Sequence, residues 1–271
     1  MAFFTTDDGT KLYYEQFGQG NKTLIFVHGL FDTHASFKEY CGALGEKYAV
    51  VVYDQRAHGA SDTPDDGYTN ARLAKDLKNL IDHLALRNIV LIGYSLGVHV
   101  IFDYIEQFGE EGVDRLILSS MSPRLVNDEE WKFGLATGVG YKEVIGMLGL
   151  INGYFKEYCA QGAAAYAGPE RLRARMQEFY AEGSKLNPSA VLRLNLALVT
   201  VDYRPTLGKI TRPTLVLSGD RDIYTVACHE NTRAMLKDGY LEIIPGGTHF
   251  AIMEYPEEYT KAIAGFLEKT S

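Results

Sequence analysis

The sequence predicts one α/β domain built on a largely parallel sheet with helices on both faces. Three observations carry this. Short apolar runs recur at 23–27, 50–53, 88–92, 115–119, 213–218 and 240–244, and amphipathic helical stretches alternate with them. The length of 271 residues suits a single large domain of this class and is enough to bury a substantial core. Finally, Gly93-Tyr94-Ser95-Leu96-Gly97 follows the run Asn88 to Ile92 and precedes a helix-compatible one, Val98 to Tyr104. That context is strand, sharp turn, helix.

Each element has its own signal. Lys11 to Phe17 reads as an early strand, and Gly18-Gln19-Gly20 with Asn21 turns the chain into the strand Thr23 to Val27. The two glycines lack the spacing of a phosphate loop and lie between strands, so they read as a hairpin turn. Val50 to Tyr53 is the next strand. Ala71 to Leu86 carries Leu73, Leu77, Leu80, Ile81 and Leu84 at helical spacing. Arg115 to Ser119 is again a strand. From about Met121 to Asp202 the texture turns helical, with no good strand. This stretch holds Trp131, Phe133, Tyr141, Tyr154, Phe155, Tyr158, Tyr166, Phe179 and Tyr180. Such side chains mostly pack helices together, so none is assigned to the site. Gly134, Gly138, Gly140, Gly146, Gly149 and Gly153 weaken helix, which marks 134–153 as a candidate mobile lid. Pro213 to Ser218 and Tyr240 to Ile244 are the closing strands. The expected division is a core of residues 1–120 and 203–271 and a helical insertion of 121–202. No internal repeat or low-complexity linker interrupts it.

Composition narrows the function. A net charge of -8 argues against nucleic acid or an anionic membrane as partner. Cys41, Cys159 and Cys228 are odd in number and scattered, which fits neither a disulfide framework nor a zinc site; each reads as a small buried hydrophobe. His83 lies in a helix without a metal-ligand partner at useful spacing. No H-E-x-x-H, paired-cysteine, calcium-loop or dinucleotide fingerprint occurs, so neither metal nor cofactor is expected. The first residues lack the basic end and apolar run of a signal peptide, and the longest uncharged stretch, Val144 to Phe155, is too short to span a bilayer. The expectation is a cytoplasmic protein with no membrane partner; its oligomeric state stays open.

The chemistry starts at Ser95. A serine on a strained elbow needs neighbours without bulk two residues before and after it, because strand and helix nearly touch there. The helix that begins at the serine turns its free N–H groups and dipole toward an oxyanion beside the hydroxyl. Serine is a poor nucleophile and needs a base. Gly219-Asp220-Arg221-Asp222 closes one later strand and Pro245-Gly246-Gly247-Thr248-His249 the next, so a carboxylate and a histidine can converge on Ser95 at one sheet edge. His249 would take and return the proton, and Asp222 would orient the imidazole, with Asp220 as the other candidate acid. Two backbone N–H donors should face the developing oxyanion. We assign them to Leu96 and, in the loop His28-Gly29-Leu30-Phe31-Asp32, to Leu30, with Phe31 as the alternative. His28 reads as a loop-holding residue, His99 as a packed one, His34 as a loop residue and His229 as a surface or helix-start residue.

With these motifs the chain resembles the α/β-hydrolase superfamily, and within it the non-haem haloperoxidases and perhydrolase-type serine esterases. The resemblance runs from Phe4 to Glu258. It includes Asp54-Gln55-Arg56-Ala57-His58-Gly59-Ala60-Ser61, a turn in which the family commonly has glycine where this chain has Ala57. The resemblance implies an eight-stranded sheet with a helical cap inserted after the sixth strand. It gives the triad order Ser95, Asp222, His249, places the acid at Asp222 rather than Asp220, and makes Asp54, Arg56 and His58 structural. It further implies a cofactor-free hydrolase of small to medium hydrophobic carboxylic esters working through an acyl-enzyme. The alternatives are perhydrolysis, carbon–carbon or lactone hydrolysis by the same triad, and a low-turnover ligand-binding protein. Many relatives with perhydrolase activity carry proline where this chain has Phe31.

Overall fold

The computed structural model of the chain describes residues 2–135 and 139–270; Gly138 of the candidate lid lies outside them. Eight strands form one sheet in the order β1-β2-β4-β3-β5-β6-β7-β8. They are β1 Ala2–Thr5, β2 Lys11–Phe17, β3 Thr23–Val27, β4 Ala49–Tyr53, β5 Ile89–Tyr94, β6 Val113–Ser119, β7 Thr214–Gly219 and β8 Gly239–Ile244. β2 pairs antiparallel with β1 and β4, and the remaining neighbours are parallel. β1 has no counterpart among the sequence runs. It is four residues long and only Phe4 is buried, too little for an apolar signal.

The apolar runs are continuous because both faces of the sheet are covered. Ile25 and Val27 of β3 enter one core cluster with Leu91 and Leu116, while Leu24 and Phe26 enter the other with Val90, Ile92 and Ile117. The first cluster is closed by α2 (Asn70–His83), α3 (Leu96–Phe108), α8 (Arg204–Leu207) and α9 (Val226–Met235). The second is closed by α1 (Lys38–Gly45), α10 (Ala251–Glu254) and α11 (Pro256–Lys269). Between β6 and β7 the chain runs through α4 (Tyr141–Gly153), α5 (Phe155–Ala164), α6 (Arg173–Gly183) and α7 (Pro188–Val199), with no strand among the described residues. α2 stops at His83, short of the predicted Leu86. Ala85 takes a φ of 49°, and Leu86 N–H reaches back to the Ile81 carbonyl at 3.0 Å, a left-handed helix end that sequence spacing does not register.

One buried ion pair fastens the turn after β4 to α2. Arg56 Nε donates to Asp76 Oδ2 at 2.6 Å, both side chains being 1% exposed, and Arg56 Nη2 reaches Asp8 at 2.8 Å. Losing one partner of such a pair strands the other charge. Asp76→Asn is expected to cost about 3 kcal/mol in urea unfolding; a loss below about 1 kcal/mol would show that Asp8 alone satisfies the guanidinium.

Candidate active site

Four loops at the carboxyl edge of the sheet, after β3, β5, β7 and β8, build the site. Ser95 joins β5 to α3 with φ 51° and ψ -120°, a conformation that L residues rarely hold. The flanking glycines show why it is reachable. A Cβ on Gly97 would lie 2.0 Å from the Val27 carbonyl oxygen, and one on Gly93 would lie 2.7 Å from the Gly97 carbonyl carbon. The loops after β7 and β8 meet as closely, since a Cβ on Gly219 would lie 1.9 Å from the Gly247 carbonyl oxygen. That contact brings Asp222 and His249 side by side.

Ser95 Oγ lies 3.2 Å from His249 Nε2, and His249 Nδ1 lies 2.9 Å from Asp222 Oδ1. With the carboxylate accepting from Nδ1–H, Nε2 is left as the acceptor facing the hydroxyl. The His249 side chain is 15% exposed and that of Asp222 is fully buried. Asp222 Oδ2 accepts from Ser218 Oγ at 2.6 Å, and Oδ1 also accepts from Tyr224 N–H at 3.3 Å. Burial pushes the Asp222 carboxyl up, but the His249 charge and hydrogen bond, with His229 and Ser218, outweigh it and hold the group down at about 2. A carboxyl depressed in the fold stabilises it above the unfolded value of 3.8, and that stabilisation is lost as pH falls toward 2. Between pH 5 and 2 the native protein should lose about 2 kcal/mol more than Asp222→Asn in urea titrations; parallel losses would contradict the depressed carboxyl.

The loop after β3 runs against the elbow. A Cβ on Gly29 would sit 3.1 Å from Ser95 Cβ and from the Tyr94 ring. Leu96 is the first residue of α3, so its N–H is one of the donors a helix leaves unpaired. The Leu30 N–H likewise has no hydrogen bond among the described residues. His28 holds this loop. It accepts from Gln55 N–H through Nε2 at 2.9 Å, so its Nδ1–H donates to the Gly29 carbonyl at 2.7 Å. Asp54 accepts from Ala60 N–H at 2.9 Å and from His34 N–H at 2.8 Å; His34 opens a short 3-10 turn rather than a loop. Asp220 accepts from Gly246 N–H at 2.7 Å and does not touch His249 in any hydrogen bond described. His99 is buried and pairs with the Ser122 carbonyl at 2.9 Å. Cys41, Cys159 and Cys228 are free and buried.

His229 lies at a helix start, as one half of its reading has it, but it is not a surface residue. It is the fourth residue of α9, fully buried, with Nε2 at 3.8 Å from Asp222 Oδ2. The only sequence signal was its offset of seven from Asp222, across a strand-to-helix loop whose path decides the contact.

Aromatic side chains form a roof beside His249 and the loop after β3, and those of the segment between β6 and β7 have three fates. Phe155, Tyr158 and Tyr180 lie 6.1–6.3 Å from the Phe31 ring, and Tyr180 is 6.1 Å from Phe250, itself 5.7 Å from His249. Trp131 instead packs on Phe133 and lies under the Arg204 guanidinium, while Tyr141 and Tyr154 are exposed. Phe31, considered as an alternative donor, holds its ring in this roof with φ 67°. Tyr166 donates to the buried Glu254, which also accepts from Thr248 N–H at 2.8 Å. This ties the connection between α5 and α6 to the residue before His249. Among the described residues no group of three or more His, Cys, Asp or Glu is placed to hold a metal ion, and no helix is long and apolar enough to cross a membrane.

The chain is similar to known proteins along its whole length. A non-heme haloperoxidase of Rhodococcus erythropolis is 28% identical, covering 92% of this chain and 93% of that one. A bifunctional esterase/perhydrolase of Acinetobacter calcoaceticus is 25% identical over 98% and 99%. An esterase of Exiguobacterium antarcticum superposes with a TM-score of 0.89 at 25% identity, covering 98% and 99%. The family model described as alpha/beta hydrolase fold matches residues 22–256. The match spans the six parallel strands β3 to β8 and the serine elbow at the end of β5, and the chain belongs to the α/β-hydrolase fold family.

Proposed function

We propose that this hydrolase cleaves carboxylic esters of hydrophobic acids through an acyl-enzyme, with Ser95, His249 and Asp222 as its triad. The observation that carries the reading is the continuous chain Ser95 Oγ, His249 Nε2, His249 Nδ1, Asp222 Oδ1, at 3.2 and 2.9 Å, beneath an aromatic roof. Ser95 Oγ attacks the ester carbonyl as its proton passes to His249 Nε2. The carbonyl oxygen becomes an oxyanion facing the Leu96 and Leu30 amides. Collapse expels the alkoxide, which takes the proton from His249. Water then gives its proton to His249 and attacks the acyl carbon, and the tetrahedral intermediate releases the acid and restores Ser95.

The apolar roof supports an acyl group with little polarity, as small-molecule sites are mostly apolar with few directed polar groups. Hydrolysis of p-nitrophenyl acetate, butyrate, octanoate and palmitate tests the reading, and the chain-length optimum sizes the space under Phe31, Phe155, Tyr158 and Tyr180. A folded protein that turns over none of them would overturn it. Perhydrolysis is the second reading, favoured by likeness to a haloperoxidase and an esterase/perhydrolase. Phe31 weighs against it. Its φ of 67° is closed to proline, whose ring fixes φ near about -65°, so the loop is not shaped for the residue that many perhydrolytic relatives carry there.

A further inference from the structure

His229 is a buried imidazole that the reaction above does not use. It sits on the first turns of α9 with its side chain 0% exposed, and neither ring nitrogen has a hydrogen-bond partner within normal limits. A neutral imidazole carries one N–H, and a buried donor without an acceptor is costly. Two acceptors act on the ring. One is the Tyr224 backbone carbonyl; the other is Asp222 Oδ2, 3.8 Å from Nε2. If Nδ1 carried the proton, the Nε2 lone pair would face a carboxylate across that gap, which is repulsive. A contraction of about 1 Å turns the other tautomer into a charge-assisted hydrogen bond.

We propose that His229 is a positioning residue of the triad, presenting Nε2–H to Asp222 Oδ2 from the side opposite His249. Asp222 is then held by Ser218 and His229 on Oδ2 and by His249 and Tyr224 N–H on Oδ1, which fixes the plane in which His249 is oriented. Donors on Oδ2 also draw charge away from the carboxylate's bond to His249. The other titratable groups facing the cluster are neutral across the working range: burial raises Tyr224, Tyr94 and Tyr259, and lifts Cys228 to about 12. Burial lowers His229 itself, keeping it neutral as the tautomer argument requires. The inference rests on the triad proposed above.

Its test separates it from that reading. Nitrogen-15 NMR of the native protein should show His229 as the Nε2–H tautomer, a result independent of turnover. His229→Phe should move the His249 ring titration, read by NMR, and the acid limb of kcat/KM for p-nitrophenyl butyrate upward by about one unit. His229→Gln, which restores a donor, should recover most of the shift. An Nδ1–H tautomer, or a His229→Phe variant with the native ring titration, would overturn the proposal. If His229→Phe fails to fold, the tautomer in the native protein and the Gln variant decide. If no ester is turned over, the ring titration still reads the contact.

Discussion

Ser95→Ala is expected to lower ester turnover by about 10³- to 10⁶-fold while leaving the fold in place. The size follows from the arrangement. Without Oγ, His249 has no nucleophile to activate, and His249 and Asp222 lose their shared function rather than a part of it. Turnover above that of water can persist, because the Leu96 and Leu30 amides and the aromatic roof still hold the ester. Stability should change by less than about 1 kcal/mol: the lost hydrogen bond to His249 is partly exposed, and alanine suffers the same backbone strain at φ 51°. Thermal melting beside steady-state kinetics, with a phosphonate label to count reactive serines, checks both halves. A variant that keeps more than a few percent of native turnover would remove Ser95 from the reaction. A labelled native protein with no ester turnover would point to ligand binding instead.

Much of this was legible in the sequence, and what was hidden shares one cause. β3, β5, β6 and β7 announce themselves because both of their faces are buried, so no polar alternation breaks the run. Ser95 is legible because the elbow demands glycine at 93 and 97 for steric reasons that act locally. Asp222 and His249 are legible because they close successive strands. Contacts set by loop paths leave no such trace. His229 reads as a surface or helix-start residue, yet the turn from β7 into α9 buries it against Asp222. The aromatic residues of 121–202 look alike in sequence, and only their packing separates Tyr158 and Tyr180 over Phe31 from Trp131 and Tyr154. Ala57 holds φ 64° and Phe31 holds 67°; both conformations are invisible to a reading by residue type.

The local steric demand makes the second large prediction. Gly97→Ala should abolish the native fold or cost more than about 4 kcal/mol, among the largest effects of a single methyl group. The added Cβ would meet backbone: the Val27 carbonyl oxygen at 2.0 Å, its carbon at 2.7 Å and the His28 carbonyl oxygen at 3.1 Å. None of these can swing aside as a side-chain tip could. Relief requires β3 and α3 to separate, which opens the core between them and moves Leu30 away from Ser95. Helix propensity alone predicts the opposite sign, since alanine exceeds glycine inside a helix by about 1 kcal/mol. Gly149→Ala isolates that term, because a Cβ there meets nothing within 4 Å in an exposed stretch of α4. The same substitution should therefore stabilise at 149 by about 0.5–1 kcal/mol and be ruinous at 97. Urea unfolding of both variants reads the difference. A Gly97→Ala protein that melts with the native one would mean that the elbow can relax, and the steric account of the Gly93 and Gly97 spacing would fall with it.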